Sequence, residues 1–510
     1  MRGGEFASKK ILELAFYSIV ILFFLLLIFF PTLYIAFRGC PGSEGLCLPS
    51  IYLTDEMKSA LFNSFSIAFI VVILDIIFGI PVAWFIARDK SKAKVYLNFL
   101  VDMPLIVPTA ALGFSTALFW GAEGMSLITK GFWMIIAVHT AFTYPYIVRT
   151  ISAAIEEVDI NYEIASRTLG ASPLTAFRTI TLPLFKSGLL IAGLLAFTRS
   201  LSETGATMMA VGAGRFFTAT APVQTLIYKN NGDISSAISL SVILIATSTL
   251  LLTIIRYLAY RLKVPIGKVY PSIEKSTGSL TLYKNIIAFL FFAAAVLIPS
   301  FYFLKFTSSN PSNLADIIKS IVISFSIALI ATFLNLIFGV GMAILIGRNK
   351  YGAGPLFDFL TDAVMVMPTV ALGLSLAMFW KVFQISEFIV LAMVHIGISY
   401  PYIVKPVAAS IKALDTNIED AARVLGAKPL VVFRTITLPL ITPSIMAGAI
   451  MAFMRSLSET GATLAASKTF KTIPVLIVDL VNINKYGDAA FASAVLLVVS
   501  FFAIFLLRRK

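Results

Sequence analysis

The chain has 510 residues, of which 59% are hydrophobic and 13% charged, with a formal net charge of +14. Water-soluble domains carry about 25% charged residues, so this balance excludes an ordinary soluble globular protein. The excess of Lys and Arg does not point to nucleic acid, because it gathers between alternate apolar runs: Arg88, Lys90, Lys92 and Lys94; Arg256, Arg261, Lys263 and Lys268; Arg348 and Lys350; Arg508, Arg509 and Lys510. That is the positive-inside pattern of a multi-pass membrane protein.

In chain order, the first apolar run (11–30) is too long for the core of a signal peptide and has no small-residue cleavage site. After it, "RGCPGSEGLCLPS" holds the only two cysteines, Cys40 and Cys47. The charge pattern puts them outside, where a short structural disulfide can form. Their spacing is wrong for zinc, and no further cysteine could complete a metal site. Apolar runs of about 20 residues place six spans in the first half, near 11–37, 59–87, 96–121, 131–150, 184–212 and 234–258. Six more follow near 284–304, 318–347, 356–381, 388–406, 440–466 and 488–507. The fold expected is all-α and polytopic, with about 12 transmembrane helices and both termini cytoplasmic. A basic, turn-rich linker (259–283) joins the halves 1–258 and 284–510.

The halves are one unit written twice. The phrase "RSLSETGAT" occurs at 199–207 and 455–463, an offset of 256, and at that offset "FRTITLPL" (177–184) is identical to 433–440. Upstream the offset becomes 260, pairing Gly79 with Gly339, Arg88 with Arg348, Pro108 with Pro368 and Trp120 with Trp380. A parallel repeat of this kind packs about an axis along the membrane normal, with a pathway between the halves.

Between the fourth and fifth spans of each half lies a loop too long for a turn, 156–184 and 412–440. In each, a glycine (Gly170, Gly426) suits a left-handed helix end, and a proline (Pro173, Pro429) suits the start of a second short helix. Ser172 can cap that second helix; Lys428, at the matching place, cannot. The expectation is helix–turn–helix on the cytoplasmic face, with Leu169, Leu174 and Phe177 forming an apolar ridge.

These loops resemble the "EAA" signature of permease subunits of binding-protein-dependent ABC importers: Glu-Ala-Ala, three residues, Gly, nine residues, Ile, any residue, Leu-Pro. The second copy fits as Asp420-Ala421-Ala422, Gly426, Ile436 and Leu438-Pro439. The first has Ala165 and Ser166, Gly170, Ile180 and Leu182-Pro183, and departs at Ile164, with Glu163 adjacent. The resemblance covers nearly all of both halves and implies a type I importer permease of a prokaryotic plasma membrane. It implies that Glu163, Ala165, Leu169, Gly170, Pro173 and Phe177, with Asp420, Ala421, Leu425, Gly426, Pro429 and Phe433, dock into two copies of a cytoplasmic ABC ATPase. An external solute-binding protein would be a further partner, besides membrane lipid. The chain's one Gly-Lys candidate, "LKVPIGKV", lacks the first P-loop glycine and the Ser/Thr. ATP and Mg therefore belong to the partner ATPase, this chain binds no cofactor or metal, and it is not itself an enzyme.

On a continuous helix the phrase gathers Arg199, Ser200, Glu203, Thr204 and Thr207 on a face about 140° wide. Arg455, Ser456, Glu459, Thr460 and Thr463 repeat it. Ionisable residues at membrane depth normally face a cavity or the bundle interior. Two readings stand: the stripes line the solute pathway and face each other across the pseudo-twofold axis, or Arg and Glu at i, i+4 pair only to fix packing. His139 and His395, the only histidines, have no acidic or cysteine neighbours at ligand spacing and read as packing or hydrogen-bonding residues. Asp75 matches Asn335, which argues against a shared charged role.

The reading is therefore a fused ABC-importer permease moving a small solute by ATP-driven alternating access. An ion-coupled secondary transporter is the alternative mechanism, but it leaves both loops unexplained. A membrane-embedded enzyme lacks a catalytic cluster. "RSLSETGAT" resembles a stretch of molybdate, tungstate and sulfate permeases, whereas the fusion of halves resembles ferric-iron and thiamine permeases. A small inorganic ion is the expected substrate, with thiamine or another small organic solute as the alternative.

Overall fold

The computed structural model describes residues 14–37, 52–211, 219–261, 281–349 and 352–508. Cys40, Cys47 and most of the expected linker (262–280) lie outside these residues. Among the described residues the secondary structure is entirely helical. Among the described residues, seven helices are long and apolar enough to cross a membrane, or up to ten if each of three bent pairs is one span. The remaining two expected spans are Phe132–Glu156, the counterpart of Glu387–Ala413, and Tyr486–Arg508.

The third span of each half departs from expectation. It is not one straight helix but two, Ala93–Ile106 with Thr109–Trp120 and Gly354–Val366 with Thr369–Lys381, bent by 101° and 105°. Pro108 and Pro368 cause the break. Proline disfavours helical geometry in the residue before it, and Val107 and Met367 are extended, with ψ of 123° and 139°. Along the first helix of each pair, Arg149 clasps Asp102 and Asn98 (2.6 Å each), and Lys405 clasps Asp358 (2.6 Å) and Asp362 (2.7 Å).

The two halves interlock through their first spans. Phe23 stacks on Phe338 of the second half (3.9 Å between centroids), and Phe291 stacks on Phe78 of the first (4.0 Å). Deeper in, Ser375 Oγ donates to the Pro31 carbonyl (2.8 Å) and accepts from Ile35 N–H (3.0 Å). Its counterpart Ser115 donates to the Pro299 carbonyl (2.5 Å) and accepts from Phe303 N–H (2.9 Å). In each case a hydroxyl from the opposite half is inserted into the i→i+4 ladder of a first span, a known cause of local helix distortion.

The short helices after the third-span bends press on the helices that begin within the repeated phrase. A Cβ added to Gly113 would lie 2.5 Å from Ala206 Cα, and one on Gly373 would lie 2.5 Å from Ala462 Cα. Backbone at that distance cannot yield cheaply. Gly113→Ala and Gly373→Ala are each expected to cost about 1–3 kcal/mol by overpacking. Thermal unfolding of the purified protein in detergent checks this; unchanged Tm values would refute the close approach.

Candidate functional site

The long loops form the helices Ile160–Thr168 and Thr416–Val424, each followed by a short turn of helix, Pro173–Ala176 and Pro429–Val432. Asp159 and Asp415 cap the first helices by accepting from Asn161 and Asn417 N–H. The glycines end them at positive φ, +93° for Gly170 and +88° for Gly426. The closing hydrogen bonds are Gly170 N–H to Arg167 and Ala171 N–H to Ser166, with the same pattern at Gly426 and Ala427, which is a Schellman end. Ser172 caps the second helix of the first loop through Thr175 N–H (3.1 Å); Lys428 makes no side-chain cap.

A largely buried ion pair ties each loop to its bundle. Glu163 pairs with Arg88 (2.6 Å) and accepts from Thr181 Oγ1 (3.0 Å). Glu419 pairs with Arg348 and accepts from Thr437 Oγ1 (2.7 Å). The side chains in both pairs are only 11–18% exposed. On the opposite side of the loops, apolar residues face outward: Leu169 is 90% exposed, Leu425 87% and Leu430 76%. Ala165, Ala421, Pro173 and Pro429 are exposed as well.

The phrase "RSLSETGAT" does not run as one helix. Leu182–Ser202 ends before Glu203, and a new helix, Gly205–Ala210, starts after Thr204; the second copy breaks between Leu457 and Gly461. The continuous stripe expected from the sequence is therefore corrected to two helix ends meeting at a break. Glutamate causes it by capping: Glu203 Oε1 accepts from Ala206 N–H (3.2 Å), and Glu459 Oε1 from Ala462 N–H (2.8 Å). Their other oxygens hold Arg199 (3.0 Å) and Arg455 (2.6 Å). His139 staples the break from the side, with Nδ1 bonded to Ser200 Oγ (2.7 Å) and Nε2 to Thr207 Oγ1 (2.8 Å). His395 does the same to Ser456 and Thr463 (2.8 and 3.0 Å).

The two breaks touch. A Cβ on Gly205 would lie 2.6 Å from Thr460 Cβ, and one on Gly461 would lie 2.8 Å from Thr204 Oγ1. Arg455 is within electrostatic range of Glu203, and Arg199 of Glu459, with Tyr146 and Tyr402 beside them. Thr204 Oγ1 and Thr460 Oγ1 are buried and have no hydrogen-bond partner among the described residues.

Residues 76–264 and again 339–509 match the family described as "Binding-protein-dependent transport system inner membrane component". The chain belongs to that family, twice over. It is 35% identical to the Molybdenum transport system permease protein ModB of Escherichia coli K12 over 41% of this chain and 95% of ModB. It is 32% identical to the Sulfate transport system permease protein CysT of Salmonella typhimurium, over 38% of this chain and 73% of CysT. With the Fe(3+)-transport system permease protein FbpB 2 of Haemophilus influenzae it shares 23% identity over 94% of this chain and 98% of FbpB 2. It is thus a fused, multi-pass permease of the inner-membrane transport family.

Against this permease frame, two expected loop residues move. Asp420, the acid of the expected signature, is 60% exposed at its side chain and pairs with neighbouring Arg423 (3.1 Å). The buried acid is Glu419, one residue earlier, because a helical step of about 100° separates the bundle-facing side from the open one. Phe177 is half-buried rather than part of the exposed ridge, its ring edge-to-face with Trp84 at 5.3 Å. The pinning partners Arg88, Arg348, Thr181 and Thr437 had one signal in the sequence, their matched places in both halves. Removing one partner of a buried ion pair costs about 3–5 kcal/mol, so Glu163→Ala and Glu419→Ala are expected to free their loops. Amide exchange over 160–176 and 416–432 should quicken while the spans stay protected. Equal protection in variant and parent would show that the pins hold nothing.

Proposed function

We propose that this permease carries a small oxyanion of the molybdate, tungstate or sulfate type, received from an external binding protein. Two copies of an ABC ATPase would grip the inner-face loops through Leu169 and Leu425, in the manner of a helix seated in a groove. Nucleotide-driven closure of the ATPases would swing the halves and part the contact between the two breaks, opening the axis alternately to each side. ATP and Mg stay with the ATPase. The loops would then lie in the cytoplasm, as would both termini.

One observation carries the substrate reading: the polar groups left over at the axis are donors. Both oxygens of Glu203 and of Glu459 already accept, from an arginine and from a backbone N–H, and each carboxylate's charge is balanced by its own arginine, which disfavours a cation there. Each guanidinium has five N–H donors, and its ion pair with the glutamate runs through one nitrogen, Arg199 Nη2 or Arg455 Nη1. The two unpartnered threonine hydroxyls add a donor from each half. Arginine and hydroxyl donors suit a multi-oxygen anion, and relatives named for molybdenum and sulfate agree with that. A second reading, Fe(3+), is favoured by the end-to-end match to a relative named for that ion, and it would need the glutamates to exchange partners.

The test is uptake by proteoliposomes holding the permease, its ATPase and its binding protein, with molybdate, tungstate, sulfate and Fe(3+) offered in turn. ATP-dependent accumulation of an oxyanion is expected, and accumulation of Fe(3+) alone would overturn the reading. Arg199→Gln with Arg455→Gln should lower oxyanion uptake at least about tenfold, the equivalent of 1.4 kcal/mol, without loss of ATPase assembly. Leu169→Asp with Leu425→Asp should do the reverse: the ATPase no longer copurifies, while the bundle keeps its Tm.

A further inference from the structure

Resting on the oxyanion reading above, we infer that Lys229, Lys381 and Lys468 form a separate anion-binding site at the end of the bundle remote from the two loops. Lys229 lies in the last turn of the helix Ala221–Asn230 of the first half, Lys381 ends Thr369–Lys381 of the second, and Lys468 follows the helix Gly461–Ala466. Lys229 is partly buried and donates through Nζ to the Leu464 carbonyl (2.5 Å), and both other lysines act on it electrostatically. Lys381 and Lys468 are exposed beside it.

Three observations separate this cluster from ordinary surface charge. Among the described residues none of the three makes an ion pair, whereas at the same end Lys58 pairs with Asp55 and Lys471 with Asp479. The nearby carboxylate, Glu387, accepts from the backbone N–H groups of Lys468 (2.6 Å) and Thr469 (3.4 Å), so it holds a loop in place. Orientation in the membrane does not account for the lysines, because the bias that orients helices puts Lys and Arg on the loop-bearing face, not here. Capping the end of Gly461–Ala466 would explain one ammonium but not three.

Place and asymmetry give the cluster its use. Gly461–Ala466 begins at the contact between the two breaks and ends at Lys229, a span of ~9 Å at ~1.5 Å per residue. An anion held by the lysines is one short helix away from the threonine pair. Gly121 stands at the repeat position of Lys381, so the site is single and off the axis, a waiting place before the shared pathway. Three like charges facing a single carboxylate, Glu387, leave a positive excess that raises the local concentration of anions. Partial burial, then the ammoniums of Lys381 and Lys468, push Lys229 down to about 8, with Glu387 pulling the other way.

The experiment is limited acetylation of the permease–ATPase complex in lipid nanodiscs, read by mass spectrometry. Molybdate or sulfate is compared with chloride at equal ionic strength. Labelling of Lys229, Lys381 and Lys468 is expected to fall several-fold with either oxyanion, while exposed Lys305 and Lys319 are unaffected. The protection should weaken as the pH is taken above about 8, where Lys229 loses its charge. Lys381→Gln with Lys468→Gln should abolish the protection of Lys229. Equal labelling in oxyanion and chloride overturns the site. So does protection by the solute-free binding protein alone, which would make the lysines a docking patch for an acidic protein surface. Uptake by the same preparation judges the other reading separately: if molybdate and sulfate accumulate without protecting the lysines, only this site falls.

Discussion

Hydrocarbon offers no partner to an opened helix end, so non-helical backbone at membrane depth must be sheltered by protein. The whole arrangement at the pseudo-twofold axis follows from that constraint. Each repeated phrase opens its helix between Glu203 and Thr204, or Glu459 and Thr460, and the groups released are taken up locally. The glutamate caps the next helix, and a histidine from the fourth span bridges the gap. The arginine then has to be neutralised within the same phrase, and it is. A charged phrase at membrane depth is therefore self-contained in each half, and the two copies can abut with glycine against threonine.

Much of this was legible in the letters. Two copies in one orientation, the offset changing from 260 to 256 within one loop, and glycine and proline at the loop turns all came directly from the residues. The Schellman ends at Gly170 and Gly426 and the cap at Ser172 but not at Lys428 followed from local chemistry that needs no tertiary information. The breaks were less visible. A helical wheel assumes a continuous helix, and Glu203 changes role once its carboxylate captures Ala206 N–H. Pro108 and Pro368 carried a signal that span-counting overlooked, because a hydropathy run is blind to direction. The choice between Asp420 and Glu419 could not be made from a motif in which either acid satisfies the pattern; only the position of Arg348 decides it.

The halves are alike in backbone and unlike in detail. Asp75, buried, accepts from Thr143 Oγ1 (2.5 Å), whereas Asn335 at the matching place donates to the Ile396 carbonyl and to Ser399. Arg256 crosses from the first half to Asp362 of the second, joining Lys405 there. Three lysines gather on one side only. Fusion in a single chain lets such differences accumulate, since each half then always meets the same partner.

The exchange of first spans also bears on how the chain is made. The span 14–37 rests on Ser375, which is 340 residues further along. At a synthesis rate of ~5–20 residues per second, roughly 20–70 s pass between the emergence of the first and of its seat. Through most of that interval the Phe23 ring and the turn at Pro31 lack their partners Phe338 and Ser375. Biogenesis thus contains an obligatory interval, which closes only when the helix Thr369–Lys381 brings Ser375 to the first span.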